Sequence, residues 1–119
     1  SDVCSSDLGN VNFLDYKGQN YDNIITNPPF KYALEFVEKA KKHADKKVAM
    51  FLKTVFLEST SRYEMFMDKD FPLKTMYQFC KRVPIYKSGV KMKNSGLVAY
   101  AWFVWDKEYD GKPTIEWIK

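Results

Sequence analysis

The sequence predicts an α/β fold whose sheet is mostly parallel and is closed by an antiparallel hairpin. Three observations carry that expectation. An apolar strand, an amphipathic helix and a second apolar strand follow one another in the first half of the chain, the order of a right-handed βαβ unit. Two later strand-like stretches have no helical pattern between them, which suits antiparallel pairing. A chain of 119 residues holds one domain at most, so both parts are expected to share one sheet.

Taken in order, Tyr21–Thr26 reads as a short buried strand. It is β-branched through Ile24, Ile25 and Thr26 and stops at Asn27-Pro28-Pro29, because proline cannot continue a central strand. A helix is expected over residues 32–44, where Ala33, Val37, Ala40 and Ala44 recur at helical spacing beside Leu34 and Phe36. Its wet face carries Glu35 with Lys39 and Glu38 with Lys42, pairs one turn apart. Residues 47–53 enclose the unbroken apolar run Val48-Ala49-Met50-Phe51-Leu52, typical of a strand covered on both faces.

A second helix is expected over 61–69, with Ser61 and Glu64 at capping-box spacing and Tyr63, Phe66 and Met67 as its apolar stripe. Residues 73–81 and 97–105 form the antiparallel pair, joined by a Gly- and Lys-rich connection, and 114–118 adds a short edge strand. Trp102, Trp105 and Trp117 read as core or sheet-face residues, Tyr63 as core and Arg62 as surface. His43, near a helix C-terminus, sits where positive charge is mildly favoured. The outer edge of the 21–26 strand is expected to be bare, and the chain alone to be poorly soluble.

Composition narrows the function classes. With 45% hydrophobic residues the chain can bury a core, so disorder is excluded. The longest apolar stretch, 97–105, is too short to span a membrane, and no signal peptide is visible. Two cysteines, Cys4 and Cys80, and a single histidine offer no metal-ligand spacing, so no metal site is expected and a reducing, cytoplasmic compartment is the default. A net charge of +4 is compatible with a nucleic-acid partner without requiring one. Residues 1–8 read as the translation of a common sequencing adapter. Genuine protein is therefore expected from Gly9, with 9–119 forming part of a catalytic domain whose native chain continues upstream.

Asn27-Pro28-Pro29-Phe30 is the informative motif. An Asn-Pro-Pro-aromatic tetrapeptide arises by chance in a chain this long only about once in a thousand. It also falls just past the end of a parallel strand and before a helix, where ligand sites of such folds form. A rigid turn would explain the prolines but not the residues on either side. An amine on an aromatic ring is a poor nucleophile because its lone pair is conjugated. Acceptors aimed at both of its N–H groups favour the pyramidal nitrogen of the transition state. The Asn27 side-chain oxygen and the Pro28 carbonyl can be those acceptors, held in direction by proline rigidity, and Phe30 offers a flat face for an extruded base.

This motif resembles motif IV of the N6-adenine DNA methyltransferases, (Asp/Asn/Ser)-Pro-Pro-(Tyr/Phe/Trp). The resemblance implies the C-terminal part of a Rossmann-like class I methyltransferase three-layer sandwich, with S-adenosylmethionine as cofactor and DNA as partner, its target adenine flipped out. Catalysis then rests on Asn27, Pro28, Pro29 and Phe30, with Pro29 structural. The stretch from Val11 to Tyr16 resembles the family's cofactor-contacting segment, which implies cofactor roles for Asn12, Phe13, Asp15 and Asn27. The family usually has Asp where Asn12 stands; either the Asn12 amide does that work or the register shifts and Asp15 does. The family's glycine-rich cofactor loop is missing, since Gly9, Gly18, Gly89, Gly96 and Gly111 do not form one. The chain alone is therefore expected to be inactive, and a second chain could supply the cofactor-binding half.

From Lys74 to Ser95 the sequence carries Lys74, Lys81, Arg82, Lys87, Lys91 and Lys93 and no acidic residue, interleaved with Tyr77, Phe79 and Tyr86. Lys81, Arg82, Lys87, Lys91 and Lys93, with Phe30, are the candidate substrate contacts, the cations tracking phosphates. A solvated hairpin blunting a sheet edge is the competing account. Arg62 and Tyr63 could also reach the target strand. Related motifs serve guanine-N2 methylation in RNA and methylation of a glutamine amide in protein, and a non-catalytic nucleic-acid-binding module stands as a different class of reading.

Overall fold

The computed structural model describes residues 3–5, 13–83, 86–87, 90–91 and 98–119, with 3–5, 86–87 and 90–91 as backbone only. The strands are β1 (Val3–Ser5), β2 (Tyr21–Thr26), β3 (Ala44–Lys53), β4 (Leu73–Phe79), β5 (Tyr86–Lys87), β6 (Val90–Lys91), β7 (Tyr100–Asp106) and β8 (Thr114–Ile118). The α-helices are α1 (Ala33–His43) and α2 (Tyr63–Phe66). Six strands form one mixed sheet in the order β1-β2-β3-β7-β4-β8, and β5 and β6 form a second, two-stranded sheet.

The α/β class and the βαβ unit are as the sequence implies: β2 and β3 are parallel and α1 connects them. β7 is antiparallel to both β3 and β4, so it is inserted between two strands that run the same way. The antiparallel pair is therefore not a terminal hairpin. β8 lies outside it, parallel to β4, as the expected edge strand. The edge of β2 expected to be bare carries β1, paired from Val3↔Asn23 to Ser5↔Ile25.

Two boundaries differ from expectation. β3 starts at Ala44, directly where α1 stops, because Ala44 takes extended geometry while its amide still closes the last helical turn on Ala40. The second helix is shorter than expected. A 3-10 turn, Thr60–Arg62, precedes α2, and Ser59 rather than Ser61 supplies the cap, its hydroxyl accepting from the Ser61 amide.

Strand alternation divides the sheet into two faces. Ile24, Val48 and Trp105 line up across β2, β3 and β7, and Thr26, Met50, Phe103 and Met76 form the next row. All of these are buried, beneath Phe36, Val37 and Ala40 of α1 and beside Phe56 and Phe66. Lys41 ties the layer together: its ammonium donates to the Met65 carbonyl at 3.3 Å and pairs with Asp68 at 3.4 Å. Burial holds its pKa below the usual lysine range, an effect that Asp68 partly offsets. Trp105 is core, Trp102 is half-buried, and Trp117 on the edge strand is exposed.

The opposite face carries Ile25, Ala49, Phe51, Tyr77, Trp102 and Val104, none of them fully buried. A shallow depression of about 320 Å³ runs along it between Ile25 and Ile118. Among the described residues no helix packs there, although such sheets normally have both faces covered. Alone in solution the chain is expected to bind an apolar dye in its native state and to elute ahead of a monomer. A monomer without a dye signal would contradict the exposure of this face.

His43 closes α1 with Nδ1 3.2 Å from the Asn20 side-chain oxygen and its ring edge-on to Tyr16. Its pKa lies below the ordinary value, because burial disfavours the charged ring and Lys39 and Lys42 repel it. The favourable helix end expected from sequence is outweighed. The unfolded chain therefore binds this proton more readily, so stability is fully present above pH 6.5 and falls as pH drops through the folded value. His43→Gln is expected to flatten the dependence of the unfolding midpoint on pH just below neutrality; an unaltered profile would exclude His43 as its source.

Candidate active site at the carboxyl end of the sheet

β2 ends at Thr26, and the chain turns out of the sheet through Asn27-Pro28-Pro29-Phe30 into the helix layer. Pro28 is buried and holds the turn, whereas Asn27 and Pro29 are exposed. Pro29 has φ −58° and ψ 132°, and its carbonyl accepts from the Tyr32 amide at 3.0 Å. The Phe30 carbonyl accepts from Ala33. These bonds start a 3-10 turn, Phe30–Tyr32, that runs straight into α1. No described residue donates to the Pro28 carbonyl or engages the Asn27 amide.

Phe30 is half-buried, and its ring meets Phe56 edge-to-face at 6.4 Å. Two cations surround it. Lys53, the last residue of β3, places Nζ 4.9 Å from the ring centroid, and the Arg62 guanidinium lies 5.6 Å from it. Arg62 is also 4.7 Å from the Phe56 ring, and its Nη1 donates to the Phe56 and Glu58 carbonyls at 3.2 and 3.3 Å. The sequence implies a surface Arg62 and a core Tyr63, whereas Arg62 is half-buried and Tyr63 is 58% exposed. The available signal was an apolar stretch, Val55-Phe56-Leu57, bracketed by Lys53 and Arg62 just past a strand end.

The other candidates are spread more widely. Lys81 and Arg82 are exposed and follow β4, whose carboxyl end lies on the same side as those of β2 and β3. Lys74 is instead at the far end of β4, paired with Asp106 at 3.6 Å. Lys87 and Lys91 lie in the β5–β6 ladder, where only backbone is described, and Asn12 and Lys93 lie outside the described residues. Phe13 is a core residue, enclosed by Phe36 at 5.4 Å and Tyr16 at 6.4 Å, and Asp15 is exposed beside it.

For S-adenosylmethionine the described residues fit one rim and no cradle. Asn27 and Asp15 are open to a ligand, Phe13 is committed to the core, and the one unpartnered buried hydroxyl nearby, Thr26 Oγ1, sits in the apolar row with Met50 and Phe103. Among the described residues there is no cluster able to hold a metal and no helix long and apolar enough to cross a membrane.

No protein-family model matches the sequence, and no curated protein does. Solved structures do. A Pyrococcus horikoshii protein described as an RNA methyltransferase superposes with a TM-score of 0.57 at 14% identity, over 81% of this chain and 47% of that one. A Listeria monocytogenes protein described as a class I S-adenosylmethionine-dependent methyltransferase gives 0.55 at 11% identity, over 89% and 39%. The fold is the Rossmann-like fold of class I methyltransferases. An Agrobacterium tumefaciens protein described as an O-methyltransferase gives 0.54 at 10%, over 82% and 41%. The chain spans less than half the length of each of these three proteins.

Proposed function

We propose that this chain is the substrate-activating half of an S-adenosylmethionine-dependent N-methyltransferase acting on the exocyclic N6 of adenine in DNA. One observation carries the proposal: Asn27 and the Pro28 carbonyl stand unengaged by any described residue at the carboxyl end of a parallel strand, beside the half-buried ring of Phe30. The Asn27 oxygen and the Pro28 carbonyl accept the two N–H bonds of the amine and draw it toward a pyramidal geometry. Phe30 stacks on the extruded base, and Pro29 keeps the acceptors in place. When bound, S-adenosylmethionine would supply an electrophilic methyl group to the amine nitrogen that Asn27 and the Pro28 carbonyl hold in position. The methylated nitrogen then sheds its proton to water, so no strong base is needed. A glycine-rich cradle from outside the described residues completes the site, on the same chain or a second one.

A second reading keeps the chemistry and changes the nucleic acid. It is favoured by the Pyrococcus protein described as an RNA methyltransferase. Transfer of labelled methyl from S-adenosylmethionine to DNA, RNA and a glutamine-bearing protein separates the cases. N6-methyladenine in digested DNA is the expected product, and N2-methylguanine in RNA would select the second reading. Binding to nucleic acid with no transfer, even with a cofactor-binding half supplied, would leave a non-catalytic module.

A further inference from the structure

We propose that Lys53 and Arg62 form a phosphate-binding pair beside Phe30, gripping the backbone of the nucleotide whose base rests on that ring. The inference rests on Phe30 being the base platform and adds the residues that hold the strand.

At the amino end of the sheet Lys46 faces Asp22 at 4.0 Å and Lys74 faces Asp106 at 3.6 Å, while Lys47 and Lys107 form no ion pair with a described carboxylate. At its carboxyl end, Lys53 and Arg62 form no ion pair with a described carboxylate. Both instead lean on aromatic rings, 4.9 and 5.6 Å from the centroid of Phe30. An exposed carboxylate, Glu58, lies on the same loop, but it is the Glu58 backbone that Arg62 engages.

A purely structural role accounts for part of Arg62. Its Nη1 staples the loop after β3 through the Phe56 and Glu58 carbonyls. A guanidinium has five N–H donors, and these two bonds leave the Nη2 edge and Nε unassigned, already oriented and stripped of rotamer freedom. That is the geometry in which arginine takes a phosphate through two parallel bonds. Lys53 has no such staple. Its flexible stem lets the ammonium move off the ring when a base arrives, carrying the charge to the adjacent phosphate.

The register extends the track. Lys53 lies opposite Tyr100 of β7, and Gln78 of β4 lies opposite Ala101, so Lys81 and Arg82 emerge two strands away along the same end. At about 4.8 Å per strand the separation is roughly 10 Å, a span of about three phosphates along one DNA strand. A planar amide in a protein would need no such row.

The test is a salt series of fluorescence anisotropy with the whole chain and a short labelled oligodeoxynucleotide bearing an unpaired adenine. Lys53→Gln and Arg62→Gln are each expected to weaken binding about tenfold, one charge-assisted hydrogen bond. Each should also lower the slope of log affinity against log salt by about 0.7. Arg62→Lys keeps the charge and should keep the slope while losing the fork. Lys53→Gln breaks no described hydrogen bond, so its result stands even if the Arg62 variants unfold. Unchanged affinity and slope in Lys53→Gln would overturn the pair, as would equal binding of polyglutamate or no binding to the oligonucleotide at low salt. Failure of amine activation shows elsewhere, in methyl transfer by Asn27→Ala, which the salt slope does not report.

Discussion

Asn27→Ala is expected to lower the turnover of the proposed methyltransferase about 10²- to 10³-fold, with little change in its proposed affinity for cofactor or DNA. The asymmetry follows from the timing of the contact. A conjugated amine is planar in the ground state and pyramidal only as the new bond forms, so an acceptor aimed at the second geometry stabilises the transition state selectively. Asn27 can play this part because Thr26 ends β2 and the buried Pro28 holds the turn, leaving the Asn27 side chain exposed at the end of the sheet. Asn27→Asp keeps an acceptor and should lose far less. Quenched single turnovers, compared with equilibrium binding, separate the two effects. Parent-level turnover by the alanine variant would sink amine activation by this residue.

Phe56→Ala is expected to cost about 3–5 kcal/mol of stability. Phe56 is 0% exposed and meets Phe66 at 5.6 Å, Phe103 at 5.7 Å and Phe30 at 6.4 Å, all edge-to-face. Truncation leaves a cavity at the junction of three rings and removes the surface on which Arg62 is stacked. The same change should therefore loosen the site as well as the core. Leu57→Ala next door, at 45% exposure, should stay within about 0.5 kcal/mol. Denaturant unfolding of the pair checks both figures, and a loss at Phe56 no larger than at Leu57 would contradict its burial.

The sequence displays elements whose ends are chemically marked. β2 stops where Pro28 forbids pairing, and α1 shows its buried stripe through Val37 and Ala40, so both were legible to within a residue or two. The start of β3 was not, because Ala44 suits helix and strand equally and no loop separates them. Strand order was hidden for a different reason. Alternation reveals which face of β7 is buried but not which strands flank it, so an inserted strand and a closing hairpin look alike. At the site, Asn27, Pro28 and Phe30 could be read because a motif marks them. Arg62 could not, since its role depends on reaching back to the Phe56 and Glu58 carbonyls. Lys74 failed in the same way, its partner Asp106 being remote in sequence.

The inserted strand also sets a schedule. β3 is complete at Lys53 and β7 begins only at Tyr100, so 47 residues of synthesis separate the two partners. At about 5–20 residues per second a nascent chain waits roughly 2–10 seconds for them. Throughout that interval the inner edges of β3 and then β4 present unsatisfied amides and carbonyls to whatever is nearby. β7 has one seat, between two finished strands, and must bond along both of its own edges to take it. Slowing translation between residues 53 and 100 should lengthen that exposure and lower the yield of folded protein, without altering a single contact in the final structure.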